Sequence, residues 1–139
     1  MHFTIHADGG SRGNPGPSGA GAMIRDEDEN PVASVSQFLG TNTNNFAEYE
    51  AVILALETIA KIVGTKCGET TVAVKMDSEL VVKQANSVYK VKHPVMKAQY
   101  ARLAPLAARF ASVTFTHIPR ALNSDADALA NEAMDRGAK

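Results

Sequence analysis

The sequence predicts an α/β domain, a five-stranded mixed sheet with helices on its faces, and three observations carry that expectation. Three short stretches with period-two alternation come before any helical pattern, and helical and strand periods then alternate to the end of the chain. The 139 residues are close to the usual size of one domain, so a single unit over 1–139 with one core is expected. Hydrophobic residues make up 45% and charged residues 21%, which is globular rather than disordered usage.

Phe3, Ile5 and Ala7 alternate with polar neighbours up to Asp8, a half-buried strand. The run Gly9-Gly10-Ser11-Arg12-Gly13-Asn14-Pro15-Gly16-Pro17 reads as a turn or loop. Ala20–Asp26 and Val32–Leu39 read as two further strands joined by an acidic turn, which completes an antiparallel meander. Thr41 to Asn45 offers helix caps, and Tyr49, Val52, Ile53, Leu56, Ile59, Ala60 and Val63 recur at helical spacing within Phe46–Val63. Gly64 stops that helix. Val72, Val74 and Met76 mark a buried strand, and Asp77-Ser78 caps a short helix over Glu79–Ala85. Pro94 opens the next helix, and Pro105 is expected to bend it or mark a break. Val113–Ile118 is the fifth strand, and Ser124 or Asp125 leads into a last helix.

Composition excludes several classes of function. No apolar run approaches the roughly 18 residues of a membrane-spanning helix, and no secretory signal is visible at the N-terminus. The single cysteine, Cys67, excludes an internal disulfide framework and a multi-cysteine zinc site, and a cytoplasmic location is expected. The net charge of −1 conceals a division along the chain. Residues 1–74 carry four basic and nine acidic side chains, 75–120 eight and two, and 121–139 two and four. Between Glu79 and Asp125 there is no acidic residue, while Lys90, Lys92, Lys97 and Arg120 lie in that stretch. Such a division reads either as a polyanion-binding face beside a carboxylate site or as a solvated lysine-rich surface.

The glycine-rich run does not open onto a helix N-terminus and lacks Gly-Lys-Ser/Thr, so a nucleotide-phosphate cradle is not expected there. The acids are more informative by position. Asp8 ends the first strand, Glu48 lies in the first turn of the long helix, Asp77 follows the central strand, and Asp125 and Asp127 open the last helix. Taken singly, each has an ordinary explanation: a cap for Asp77, a dipole partner for Asp127, a helix-start acid for Glu48. Taken together, three or four converging carboxylates repel one another unless a divalent cation compensates. Hard oxygen ligands without paired His or Cys favour Mg²⁺ or Mn²⁺ over Zn²⁺. Two such ions about 4 Å apart are the means by which enzymes activate water and stabilise the leaving oxygen in phosphodiester hydrolysis.

The segments Asp8 to Pro17, Thr43-Asn44-Asn45-Phe46-Ala47-Glu48, Asp77-Ser78, and His117 followed by Asn123, Asp127, Leu129 and Ala130 together resemble the type 1 ribonuclease H family. The resemblance spans essentially the whole chain, in order. It implies the ribonuclease H-like fold, with three antiparallel strands, two parallel ones and helices on both faces. It further implies endonucleolytic cleavage of the RNA strand of RNA–DNA hybrids with two Mg²⁺ ions, Mn²⁺ being an alternative. Asp8, Glu48, Asp77 and Asp127 would be the metal ligands, with Asp127 preferred over Asp125 by spacing. His117 would assist water activation or product release; otherwise it is a strand-end histidine without a role. Gly10, Arg12, Asn14, Asn44 and Asn45 would contact the nucleic acid, with Lys90, Lys92, Lys97 and Arg120 as further contacts. The asparagines also suit turns and caps, and both roles are compatible.

Many type 1 members carry a basic, tryptophan-containing helix between the two middle helices. This chain has no Trp, and its connector 86–93 is short. It therefore resembles the shorter branch, some of whose members also accept double-stranded RNA, and a monomer is expected. The competing readings are a hydrolase-dead binding module, which the loss of an acid would signal, and a nuclease acting on DNA junctions or transposon ends.

Overall fold

A computed structural model describes residues 1–137. Its elements are β1 (His2–Ser11), β2 (Gly16–Arg25), β3 (Pro31–Asn42), α1 (Asn44–Val63), β4 (Thr71–Met76), α2 (Glu79–Ala85), α3 (Pro94–Ala107), β5 (Ser112–His117) and α4 (Ser124–Gly137). Short 3₁₀ turns at Gly64–Glu69 and Arg120–Leu122 complete the chain. The sheet order is β3-β2-β1-β4-β5. β1, β2 and β3 pair antiparallel, whereas β4 pairs parallel with both β1 and β5. This is the expected mixed sheet.

The pleat sorts residues between two layers. Phe3, Ile5 and Ala7 of β1 and Ala20, Ala22 and Ile24 of β2 are buried in one cluster with Tyr49, Val52, Ile53, Leu56 and Ile59 of α1. The intervening positions face α4: a Cβ on Gly19 or Gly21 would lie 2.5 or 2.4 Å from the backbone of Ala130 or Ala126. Helices thus cover both faces. The large, fully buried apolar side chains lie mainly on the α1 face, each worth about 1.5–3 kcal/mol on burial.

Several boundaries differ from the sequence-based expectation, β3 running on to Asn42 and β5 spanning Ser112–His117 among them, and two of the differences matter for the site. Residues 9–17 are not all loop, because β1 continues through Gly9, Gly10 and Ser11 and β2 begins at Gly16. Gly10 pairs with Gly19 and Ser11 with Ser18, and the Arg12 amide donates to the Pro17 carbonyl at 2.9 Å. Glycines carry no side chain to display a period, so this ladder is invisible to pattern reading. Second, α1 begins two residues early, since the Thr43 hydroxyl accepts from the Phe46 amide as the N-cap. Glu48 therefore lies in the second turn, not the first. Pro105 does not interrupt α3, which runs on to Ala107; within the last turn a proline sacrifices one hydrogen bond shortly before the helix would end.

Candidate active site

The pairing of β1 determines where its carboxylate sits. β4 accompanies β1 only as far as Ala7, opposite Met76, and from Asp8 onward β1 is paired with β2 alone. Asp8 therefore does not end its strand; it is the first residue past the end of the neighbouring one. Asp77 follows Met76 at that same end, where α/β sheets commonly place ligands. Ser78, not Asp77, caps α2 by accepting from the Val81 amide at 3.3 Å, so capping does not account for Asp77. Glu48 reaches the same point from α1. A Cβ on Gly9 would stand 2.2 Å from the Ala47 carbonyl carbon and 2.5 Å from the Glu48 nitrogen, so only glycine lets α1 lie this close to β1.

Asp8, Glu48 and Asp77 each offer a carboxylate oxygen within 4.8 Å of the others. The protein makes this costly. Burial, then the charge of Asp77, pushes the Asp8 carboxyl up to about 8, although the Gly9 amide donates to Asp8 Oδ1 at 2.9 Å. Burial likewise pushes Glu48 up to about 7, partly offset by the Ser78 hydroxyl. Carboxyls that hold protons near neutrality, with hard oxygen donors converging on one point, suit a divalent cation in place of those protons.

The three acids line a cleft of about 630 Å³ together with Gly10, Arg12, Asn44, His117, Arg120 and Asp127. Asp127 stands outside the tightest group of three but close enough to contribute to the upward shift of Asp8. Its Oδ2 accepts from Asn131 Nδ2 at 3.3 Å, and its Oδ1 lies 3.9 Å from Arg120 Nη2. Asp125, two residues earlier, points elsewhere, bonded to Arg25 at 2.5 Å. Asn123 is buried; its Nδ2 donates to the Ala7 carbonyl at 2.9 Å, and its own carbonyl accepts from the Asp127 amide at 3.0 Å. One residue, through its side-chain amide on one side and its backbone carbonyl on the other, thus ties the Asp8 strand to the Asp127 helix. His117, the last residue of β5, also lines the cleft.

The remaining predicted residues separate into groups. Asn44 belongs to the cleft, and its Oδ1 accepts from the Ser11 amide at 2.8 Å while its amide donates to Asn14 Oδ1 at 3.1 Å. Asn14 and Asn45 line an adjoining hollow beside His93 and Met96. Lys90 and Lys97 line a third groove with Tyr89 and Tyr100, and Lys92 is exposed; none of these three lysines lines the carboxylate cleft. Gly9, Ser11, Asn131 and Met134 also form the cleft, and sequence reasoning did not single them out. Asn131 had a signal, four residues after Asp127 on one helix face.

A family model described as reverse transcriptase-like matches residues 6–133. The chain is 45% identical over 140 residues to the bifunctional protein Rv2228c of Mycobacterium tuberculosis, covering all of this chain and 37% of that protein. It is 41% identical over 133 residues to a ribonuclease HI of Halobacterium salinarum, covering 94% of this chain and 64% of that one. The chain thus spans well under half the length of its mycobacterial relatives. Among solved structures, LC11-RNase H1, isolated from compost by a metagenomic approach, superposes with a TM-score of 0.92 at 46% identity over 99% of both chains. The same protein solved in complex with an RNA/DNA hybrid gives a TM-score of 0.93 at 45% identity, over 99% of both chains. With a family model matching residues 6–133, a ribonuclease HI relative at 41% identity and ribonuclease H1 structures sharing its fold, the chain belongs to the reverse transcriptase-like family and, within it, to the type 1 ribonucleases H.

Proposed function

We propose that this chain is a metal-dependent endonuclease that hydrolyses the RNA strand of RNA–DNA hybrids. The observation that carries the reading is the convergence of Asp8, Glu48 and Asp77 at one end of the sheet, with Asp127 and His117 on the walls of the same cleft. Likeness to a protein solved with an RNA/DNA hybrid supports the substrate. Asp8, Glu48, Asp77 and Asp127 would hold two Mg²⁺ ions, or Mn²⁺ in their place, which when bound supply water activation and stabilisation of the leaving oxygen.

The chain's own residues orient the substrate around that centre. Gly10 leaves the β1 wall of the cleft open to the strand, and Asn14, Asn44 and Asn45 offer amides and carbonyls to ribose hydroxyls and phosphates. Arg12 and Arg120 meet phosphates at the mouth, and Lys90, Lys92 and Lys97 hold the duplex farther out. His117 exchanges a proton through its imidazole with the attacking water or the departing product. The protein is proposed to act as a monomer, in the cytoplasm.

The test is cleavage of labelled RNA–DNA, RNA–RNA and DNA–DNA duplexes with Mg²⁺ and with Mn²⁺. Cuts confined to the RNA strand of the hybrid are expected, with RNA–RNA a weaker substrate at most. Cleavage of DNA–DNA alone, or hybrid binding without cleavage under either metal, overturns the proposal.

A further inference from the structure

Two guanidinium groups line the carboxylate cleft, Arg12 on the β1–β2 turn and Arg120 beyond β5. They are held differently. Arg120 is almost fully exposed and lies a loose 3.9 Å from Asp127, whereas Arg12 is bonded at 2.5 Å to Asp135 on α4. The backbone that carries Arg12 is fixed: its amide donates to the Pro17 carbonyl, and the neighbouring Ser11 amide donates to Asn44 Oδ1 at the start of α1. Arg12 thus has a set origin relative to the carboxylates and a tethered tip.

The tether contributes little to the fold. The two side chains retain 43% and 65% of their exposure, and ion pairs that open to water are worth about 0–1 kcal/mol. A pair so weak exchanges readily for a stronger acceptor. A phosphate diester offers the guanidinium a planar, bidentate partner, and a nucleic-acid strand entering the cleft brings one. The site otherwise presents four carboxylates to a polyanion, so a cation already posted at its mouth has an evident use.

We propose that Arg12 and Asp135 form an exchangeable latch: Asp135 holds Arg12 at the cleft mouth in the free protein, and a backbone phosphate of the bound strand takes the guanidinium over. Asp135 thereby competes with substrate and sets its affinity. This inference rests on the ribonuclease H reading and adds to it a residue, Asp135, that touches neither the reacting atoms nor the metal ligands.

The test is equilibrium binding of a labelled RNA–DNA hybrid across a salt series, each protein also carrying Asp77→Asn so that no strand is cut. Arg12→Ala is expected to reduce the log–log salt slope by about 0.7–0.9, the value of one neutralised phosphate, and Arg12→Lys to restore the slope. Asp135→Asn is expected to tighten binding about threefold with Arg12 present and not with Arg12→Ala. Glu132→Gln removes the same charge from the same helix, where Glu132 pairs with Arg136 outside the cleft, and is expected to leave affinity near the parent's. An Arg12→Ala slope equal to the parent's overturns the latch. Equal tightening by Asp135→Asn and Glu132→Gln, or tightening by Asp135→Asn that persists without Arg12, overturns it as well, since each shows only a bulk-charge effect. Cleavage by the otherwise unaltered chain is measured alongside. Failure to cut the hybrid at all overturns the ribonuclease H reading, whereas cutting with an unchanged Arg12→Ala slope overturns the latch alone.

Discussion

The carboxylate end of the sheet and the basic segment from Lys90 to Lys97 differ in how their side chains are held. Asp8, Glu48 and Asp127 stand on a strand or a helix and Asp77 directly follows one, each beside a residue, Ala7, Tyr49, Ala126 or Met76, that is fully buried. Lys90, Lys92 and Lys97 are exposed, on a connector and the first turn of a helix. Reaction chemistry needs donors fixed to a fraction of an ångström, so it is built where packing fixes the backbone. Grip on a phosphate chain needs charge and reach, which exposed lysines supply without a fixed geometry.

The comparison is broken most sharply at Asp77. Asp77→Asn keeps shape and removes a charge, so hydrolysis is expected to fall at least about 10³-fold while the fold persists; strand cleavage and circular dichroism measure the two. The same centre carries a pH signature. Asp8 and Glu48 hold protons in the native protein up to about pH 8 and 7, whereas unfolded carboxyls release theirs near 4. The native state then binds more protons than the unfolded one across that window, so the metal-free protein loses stability as pH rises from about 4 to 8. Melting temperatures should fall over that range, and added Mg²⁺ should reverse the fall at its upper end. A flat profile would show that neither burial nor mutual repulsion holds these carboxyls above their ordinary range.

His117 lies between the two regimes, in the cleft but exposed. His117→Ala is expected to lower turnover by about 10²-fold or more with hybrid affinity nearly unchanged, if the imidazole moves protons. A loss confined to steady-state turnover and absent from single-turnover rates assigns it to product release. Parent-like rates in both regimes return it to a strand end without a role. Replacing Lys90, Lys92 and Lys97 together by Ala is expected to raise KM and leave kcat nearly unchanged. The salt slope of binding should fall by about 0.7–0.9 for each phosphate that is no longer neutralised. An unchanged slope would make these lysines solvated surface. The smallest effect is expected at Asp125→Asn, which removes an exposed pair with Arg25 worth about 0–1 kcal/mol and should retain substantial activity. Asp127→Asn in parallel should not.

These two regions also differ in what could be read beforehand. The strand and helix order was legible because alternation and helical spacing report burial directly, and the structure follows it from β1 to α4. The four acids were legible through their motifs, and Asp127 rather than Asp125 is the one the structure brings to the cleft. What escaped was backbone. The continuation of β1 through Gly9 and Gly10 leaves no side-chain trace, and neither does the close approach of α1 that Gly9 permits. The role of Asn123 in joining Ala7 to Asp127 depends on residues 116 positions apart, a closure that no local window contains. The separation of Lys90, Lys92 and Lys97 from the cleft escaped for the same reason, since a charge run says nothing about which wall it lines.

The overshoot of β1 beyond β4 has a consequence for how this site can be altered or transplanted. Asp8 is timed by two ladders at once, the parallel one that stops at Ala7 and the antiparallel one that continues to Ser11. Inserting or deleting one residue upstream of Asp8 would reverse its face, turning the carboxylate from the α4 side into the apolar layer under α1. A loop can absorb such an error; a strand clamped on both sides cannot. The centre therefore behaves as a fixed reading frame rather than a movable cassette. A graft into another sheet would have to carry both flanking strands and the difference in their lengths, not the four acids alone.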